Sequence, residues 1–156
     1  MISLNDIFKA AMQVEAIGEA FYRKYAEISD SPEIKKTFDF LAGREKTHYQ
    51  KFQDWLSVLK PEELEKGISQ DNRPYLSKTI NESIFSEERK PENLLKKVKT
   101  MRDALETALE LENGSIDYYE KMKQEVSPEV GKEIGKIIAE EETHAQTITG
   151  MLDNIP

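Results

Sequence analysis

The sequence predicts an all-α fold: a four-helix bundle made of two helical hairpins, joined by a long crossover that carries a short helix. Three observations predict it. Glycine is scarce, at 7 of 156 residues, and no segment alternates apolar and polar residues as a half-buried strand would. Helix-breaking residues concentrate in three places. The four long stretches around those breaks each carry apolar residues at steps of three and four, the spacing of a bundle-core stripe.

The first helix carries Leu4, Phe8, Ala11, Glu15, Gly18, Tyr22 and Tyr25 on one face. It ends at a turn over 28–34, where Asp30 or Ser31 is suited to cap the next helix and Pro32 to occupy its first position. The second helix carries Ile34, Phe38, Leu41, Glu45, His48, Phe52, Trp55 and Leu59, closing the first hairpin at 4–59. Trp55, Phe38 and Phe52 read simply as core. A broad break follows over 60–91, with Pro61, Gly67, Pro74 and Pro91. About 30 residues is too long for a plain loop in a compact domain. Leu76, Ile80 and Ile84, spaced by four, predict a short helix within it. The second hairpin spans 92–153. Its first seam reads Leu94, Val98, Met101, Leu105, Ala108, Glu112, Ser115, Tyr119, Met122 and Val126. Ser127 and Pro128 repeat the cap-and-proline device, and the last helix carries Val130, Ile134, Ile137, Glu141, His144, Ile148 and Met151.

One domain over 1–156 is the expected organisation, long enough to bury a core without cross-links. Thirty acidic residues against 22 basic ones leave a net charge of −8, the wrong sign for a phosphate-backbone binder. There is no cysteine, which excludes disulfides, thiolate nucleophiles, thiolate zinc sites and iron–sulfur clusters. No apolar run approaches the roughly 18–20 residues of a membrane span. The start lacks the cationic and apolar regions of a signal peptide, so the expected location is the cytoplasm.

Each seam has a glutamate near its middle. The chain's two histidines, His48 and His144, each follow a seam glutamate by three residues, and residues at i and i+3 share a helix face. Each Glu–His pair therefore points inward together. Glutamate supplies 22 of the 156 residues, so this placement of both histidines would arise by chance with a probability of roughly 0.02. The hairpins also repeat. Glu15 and Tyr22 match Glu112 and Tyr119 at an offset of 97, while Glu45 and His48 match Glu141 and His144 at an offset of 96. Such a repeat predicts a pseudo-two-fold bundle with one site on its axis. Glu19, four residues after Glu15, is an accessory candidate. Glu140 and Glu142 flank the last seam and read as solvated.

Four carboxylates and two imidazoles converging in a core are costly without a partner, since each buried ion loses solvation and like charges repel. Two divalent metal ions would balance four carboxylates and leave the histidines neutral. Oxygen ligands with two imidazoles suit iron or manganese, with zinc or cobalt as substitutes. One Glu from each of two helices and a Glu-x-x-His pair from each of two others is the ligand set of ferritin-like di-metal bundles.

With these motifs, the sequence from about Leu4 to Met151, apart from the crossover, resembles the rubrerythrin branch of the ferritin-like superfamily. The resemblance implies a di-iron carboxylate redox protein acting on peroxide or dioxygen. It implies that Glu45 and Glu141 bridge two ions, that His48 and His144 each cap one, and that Glu15 and Glu112 are terminal ligands or bridges. It also implies that Tyr22 and Tyr119 hydrogen-bond ligand carboxylates. Two features depart from the branch. Rubrerythrins usually carry a cysteine-ligated rubredoxin segment that delivers electrons, and no cysteine is present here, so an external electron-donor protein is expected. An extra glutamate is common a turn beyond the third-helix ligand, where Ser115 stands. The resemblance also implies a homodimer, sometimes with exchanged helices, which the long crossover would permit. Two rivals share the same site: iron oxidation for storage or detoxification, and a metal-stabilised binding or sensor bundle with little turnover.

Overall fold

The computed structural model describes the backbone of residues 1–156 and all side chains except those of residues 83–85. Four long helices dominate: α1 (Leu4–Ile28), α2 (Pro32–Val58), α6 (Met101–Lys123) and α7 (Pro128–Asp153). The crossover contributes α3 (Pro61–Leu64), α4 (Arg73–Phe85), a 3-10 turn (Glu87–Arg89) and α5 (Pro91–Lys96). The fold is a four-helix bundle, as the seams predicted.

Local chemistry sets the helix ends. Ser3 caps α1 and accepts from the Asp6 amide, while Asp6 takes the Ser3 amide in return at 2.9 Å. Ser31 and Ser127 accept from Ile34 and Val130, and a proline follows each cap in the first turn. These side chains satisfy amides that a helix start leaves without partners.

The second hairpin departs from the expectation at its start. Leu94 and Val98 do not continue into α6. They are half-buried on a separate short segment, and Met101 is 40% exposed rather than part of the seam. A capping box explains the break. Thr100 accepts from the Asp103 amide at 3.1 Å, and Asp103 accepts from the Thr100 and Lys99 amides at 3.2 and 2.9 Å. Satisfying those amides starts a new helix and ends the old one.

α1 packs against α2, and α6 against α7; α4 lies across α1 and α6. The crossover is tied down by backbone and side-chain bonds. The Leu4 amide donates to the Lys66 carbonyl at 3.0 Å, and Glu125 accepts from the Ser69 amide and hydroxyl, each at 2.7 Å. Leu76 and Ile80 anchor α4 to the core. Ile84, expected beside them, lies outside the described side chains.

The core is in two parts. One holds Phe8, Phe52, Tyr118, Met122 and Ile134; the other holds Phe21, Phe38, Leu105 and Ile148. Between them the four seams place Glu15, Glu45, His48, Glu112, Glu141 and His144, all buried. A polar layer thus divides an otherwise apolar bundle.

Candidate metal centre

Each long helix delivers its glutamate at mid-length, and α2 and α7 add a histidine one turn later. Ligand atoms of Glu15, Glu45, His48 and Glu141 lie within 4.8 Å of one another, and so do those of Glu45, Glu112, Glu141 and His144. Glu45 and Glu141 belong to both groups. The six expected residues therefore meet as two overlapping sets, each with one histidine and one glutamate of its own. The imidazole rings lie nearly parallel, 22° apart in plane, with centroids separated by 6.4 Å.

The tyrosines cross between the hairpins. Tyr22 on α1 donates to Glu112 on α6 at 2.6 Å, and Tyr119 on α6 donates to Glu15 on α1. Tyr118, the next residue along, donates instead to the Ile7 carbonyl at 2.7 Å, as a core tyrosine does.

The donor set fits a pair of metal ions. Among the described residues, eight buried side-chain nitrogen or oxygen atoms lack a hydrogen-bond partner, and seven belong to these six residues. They include both Nδ1 atoms, both oxygens of Glu141 and one oxygen each of Glu15, Glu45 and Glu112. His48 Nδ1 lies 2.7 Å from Glu141 Oε1, but the contact is not aligned as a hydrogen bond. Buried polar atoms normally find partners, so a cluster of orphans facing one point calls for a ligand. Oxygen-rich donors with two imidazoles suit iron or manganese.

The sequence pattern of the family described as Rubrerythrin matches residues 6–152. The chain belongs to the rubrerythrin family. A solved structure from Thermotoga maritima, named as a provisional assignment a ferritin-like diiron-carboxylate protein, superposes with a TM-score of 0.73 at 25% identity. The alignment covers 98% of this chain and 96% of that one. Comparison with curated proteins gives no match.

In this rubrerythrin-family chain Glu19 and Glu140 depart from the expectation, while Ser115 stays on the seam. Glu19 is not brought to the cluster. Ala11 to Glu15 is already a four-residue step, so a second one carries Glu19 to the edge of the seam, where it pairs with exposed Arg23 at 2.8 Å. Ser115 is buried beside the site, but its hydroxyl donates back to the Leu111 carbonyl at 2.9 Å. Glu140, read from the sequence as solvated, instead contacts His48 Nε2 and accepts from Arg44 Nε at 2.6 Å. Its signal in the sequence was the repeat: Arg44 and Glu140 occupy equivalent positions of opposite charge.

Burial is the largest influence on the cluster carboxyls. It raises Glu15, and it pushes Glu45 and Glu112 well above the ordinary value of 4.5. Glu141 ends below that value because the neighbouring Glu112 carboxyl and His48 imidazole together outweigh burial. Burial opposes protonation of His48, yet Glu141 and Glu15 raise it from 6.5 to about 10. His144 falls below 6.5, chiefly through burial. Protons therefore do part of the work of balancing charge here, and metal ions must displace them.

A cavity of about 160 Å3 reaches Glu45 and Glu112 between Gly18 and Ser115, beneath Tyr75 and Thr79 of α4. The small residues keep this approach open. A Cβ on Gly18 would sit 3.1 Å from Glu45 Oε2, so glycine also lets the carboxylate pack against α1.

Proposed function

We propose that the protein is a di-iron carboxylate redox protein that reduces peroxide or reacts with dioxygen, using electrons from a separate donor protein. Two overlapping four-residue donor sets with orphaned, inward-facing atoms carry this proposal. Glu45 and Glu141 would span the two ions. Glu15 with His48 would complete one position, and Glu112 with His144 the other. Iron bound there would supply Lewis acidity and redox change at two adjacent points. Manganese or zinc could occupy the same donors.

The chain's own groups supply the rest. The tyrosine hydroxyls of Tyr22 and Tyr119 hold the terminal carboxylates in orientation. The apolar layers on either side exclude bulk water. The cavity between Gly18 and Ser115 offers a small uncharged molecule a route to Glu45 and Glu112. Peroxide reduction balances as H2O2 with two electrons and two protons giving two waters. With no cysteine in the sequence to bind a rubredoxin-type iron, those electrons would come from outside. We place the protein in the cytoplasm as a homodimer, without nucleic-acid or membrane partners. None of the helices among the described residues is long and apolar enough to cross a membrane.

The test is metal content per chain after purification without added chelator or metal, followed by peroxide turnover with a chemical reductant. Two irons per chain and turnover are expected. Two irons without turnover would favour the metal-stabilised sensor bundle, and a very large shell-like oligomer would favour iron storage. Less than half a metal of any kind, with reconstitution also failing, would remove the metal centre altogether.

A further inference from the structure

The internal repeat is close to symmetric in its six central donors but not in the residue just before each shared glutamate. On α2 that residue is Arg44; on α7, at an offset of 96, it is Glu140. Glu140 reaches from α7 to α2. One carboxylate oxygen contacts His48 Nε2, and the other accepts from Arg44 Nε at 2.6 Å. The carboxylate is thus held from two sides.

This arrangement decides the chemistry of His48. Its Nδ1 faces Glu141 and Glu15, at 2.7 and 3.6 Å, while its Nε2 faces Glu140. A carboxylate accepts and does not donate, so Glu140 keeps a hydrogen on Nε2, and Nδ1, once a metal ion displaces its proton, is the nitrogen left to give its lone pair to the centre. His144 has the same inward face, with Nδ1 3.9 Å from both Glu45 and Glu112. Its outward face differs. It makes no hydrogen bond to a described residue, the ring of exposed Phe40 stands edge-on at 6.3 Å, and the repeat offers it Arg44 where His48 has Glu140. A guanidinium has no lone pair to accept an imidazole N–H.

We propose that Glu140, clamped by Arg44, is a positioning residue that makes the two metal positions unequal: the His48 position binds first and more tightly, and the His144 position fills second. The proposal rests on the metal-centre assignment above and adds an order of filling that the six donors alone do not imply. A carboxylate on the far nitrogen fixes the tautomer and ring orientation and raises the basicity of the ligating nitrogen. Removing such a partner typically weakens metal binding by roughly 10–100-fold.

The experiment is titration of metal-free protein with cobalt(II), followed by visible absorption and competition with a chromophoric chelator. The unaltered protein should bind two equivalents in two resolved steps. His48→Ala should remove the tighter step and His144→Ala the weaker one. Glu140→Ala should weaken the first step by roughly 10–100-fold and leave the second in place, with Glu140→Gln giving a smaller loss. Circular dichroism checks that each variant stays helical. The decisive variant exchanges the charges, Arg44→Glu with Glu140→Arg. It should move the tighter step to the His144 position, so that His144→Ala now removes it; a merely structural role for the pair would not produce that transfer. Two indistinguishable steps, a first step indifferent to Glu140→Ala, or a tight step that stays with His48 after the exchange would overturn the assignment of Glu140 alone. Failure of the unaltered protein to bind cobalt would overturn the metal centre as well.

Discussion

Tyr22 and Glu112 lie 90 residues apart, on opposite hairpins, yet the tyrosine hydroxyl donates to Glu112 Oε1 at 2.6 Å inside the core. Tyr119 makes the mirrored bond to Glu15. The crossed pair stitches α1 to α6 at the polar layer. Each bond leaves the other oxygen of its glutamate free to face the centre.

Tyr22→Phe should therefore act on the Glu112 side and Tyr119→Phe on the Glu15 side. Each removes a hydrogen bond from a buried carboxyl group, a loss of about 1–3 kcal/mol. Thermal unfolding should show lowered stability with helicity retained. Metal titration should show weakening mainly at the position containing that glutamate. Unchanged melting and unchanged affinity in both variants would mean that the hydroxyls are incidental.

Glu45 and Glu141 belong to both donor sets, whereas each histidine belongs to one. His48→Ala should therefore lose about one metal equivalent per chain and stay largely helical. Glu45→Ala should weaken both positions. Elemental analysis of purified variants decides it: full metal content in His48→Ala would exclude His48 as a ligand.

Metal binding should strengthen as pH rises. Glu15, Glu45 and Glu112 titrate above 4.5 and His48 at about 10, so the metal-free site holds protons that the ions must displace. Calorimetry in buffers of different ionisation enthalpy should register net proton release near pH 7. No release would contradict the charge balance described above.

The same shifts set the pH dependence of metal-free stability. A raised carboxyl contributes stability that is present below its unfolded value of 4.5 and lost as pH rises through its folded value. His48 behaves alike, its contribution complete below 6.5 and lost as pH rises through about 10. Glu141 acts in the opposite sense, losing its contribution as pH falls below 4.5. Metal-free protein should thus melt at lower temperature as pH rises from about 5 to 10. Metal at a hundredfold excess over its dissociation constant should restore about 2.7 kcal/mol. Melting scans with and without a chelator measure both effects.

Ser115→Leu should fill the approach between α1 and α6. Metal content should stay at the unaltered level while reaction with peroxide slows several-fold, as read by stopped-flow absorption. Equal rates would place the substrate route elsewhere.

Much of this centre was legible before any coordinates. The placement of Glu45 with His48, and of Glu141 with His144, on buried seams followed from steps of three and four, because helical periodicity is a local property of the chain. So did the Ser127 cap, and the second helix's cap down to Asp30 or Ser31, of which the structure uses Ser31, since capping joins residues only three apart. The break before α6 was legible in principle from Thr100 and Asp103, but the apolar spacing of Leu94, Val98 and Met101 pointed across it. Capping prevailed because it satisfies specific backbone amides, whereas a seam residue near a bundle end has little core to join.

What sequence by itself determined was the bundle, its repeat and which residues face inward, because each depends on neighbours within one or two helical turns. Tertiary structure alone decided which glutamate each tyrosine meets and that Glu140 turns from solvent to His48. It also decided that Gly18 and Ser115 leave a way in beneath α4. Those outcomes depend on the rotation and offset of one helix against another. Many side chains acting together set that register, and periodicity along a single helix carries no record of it.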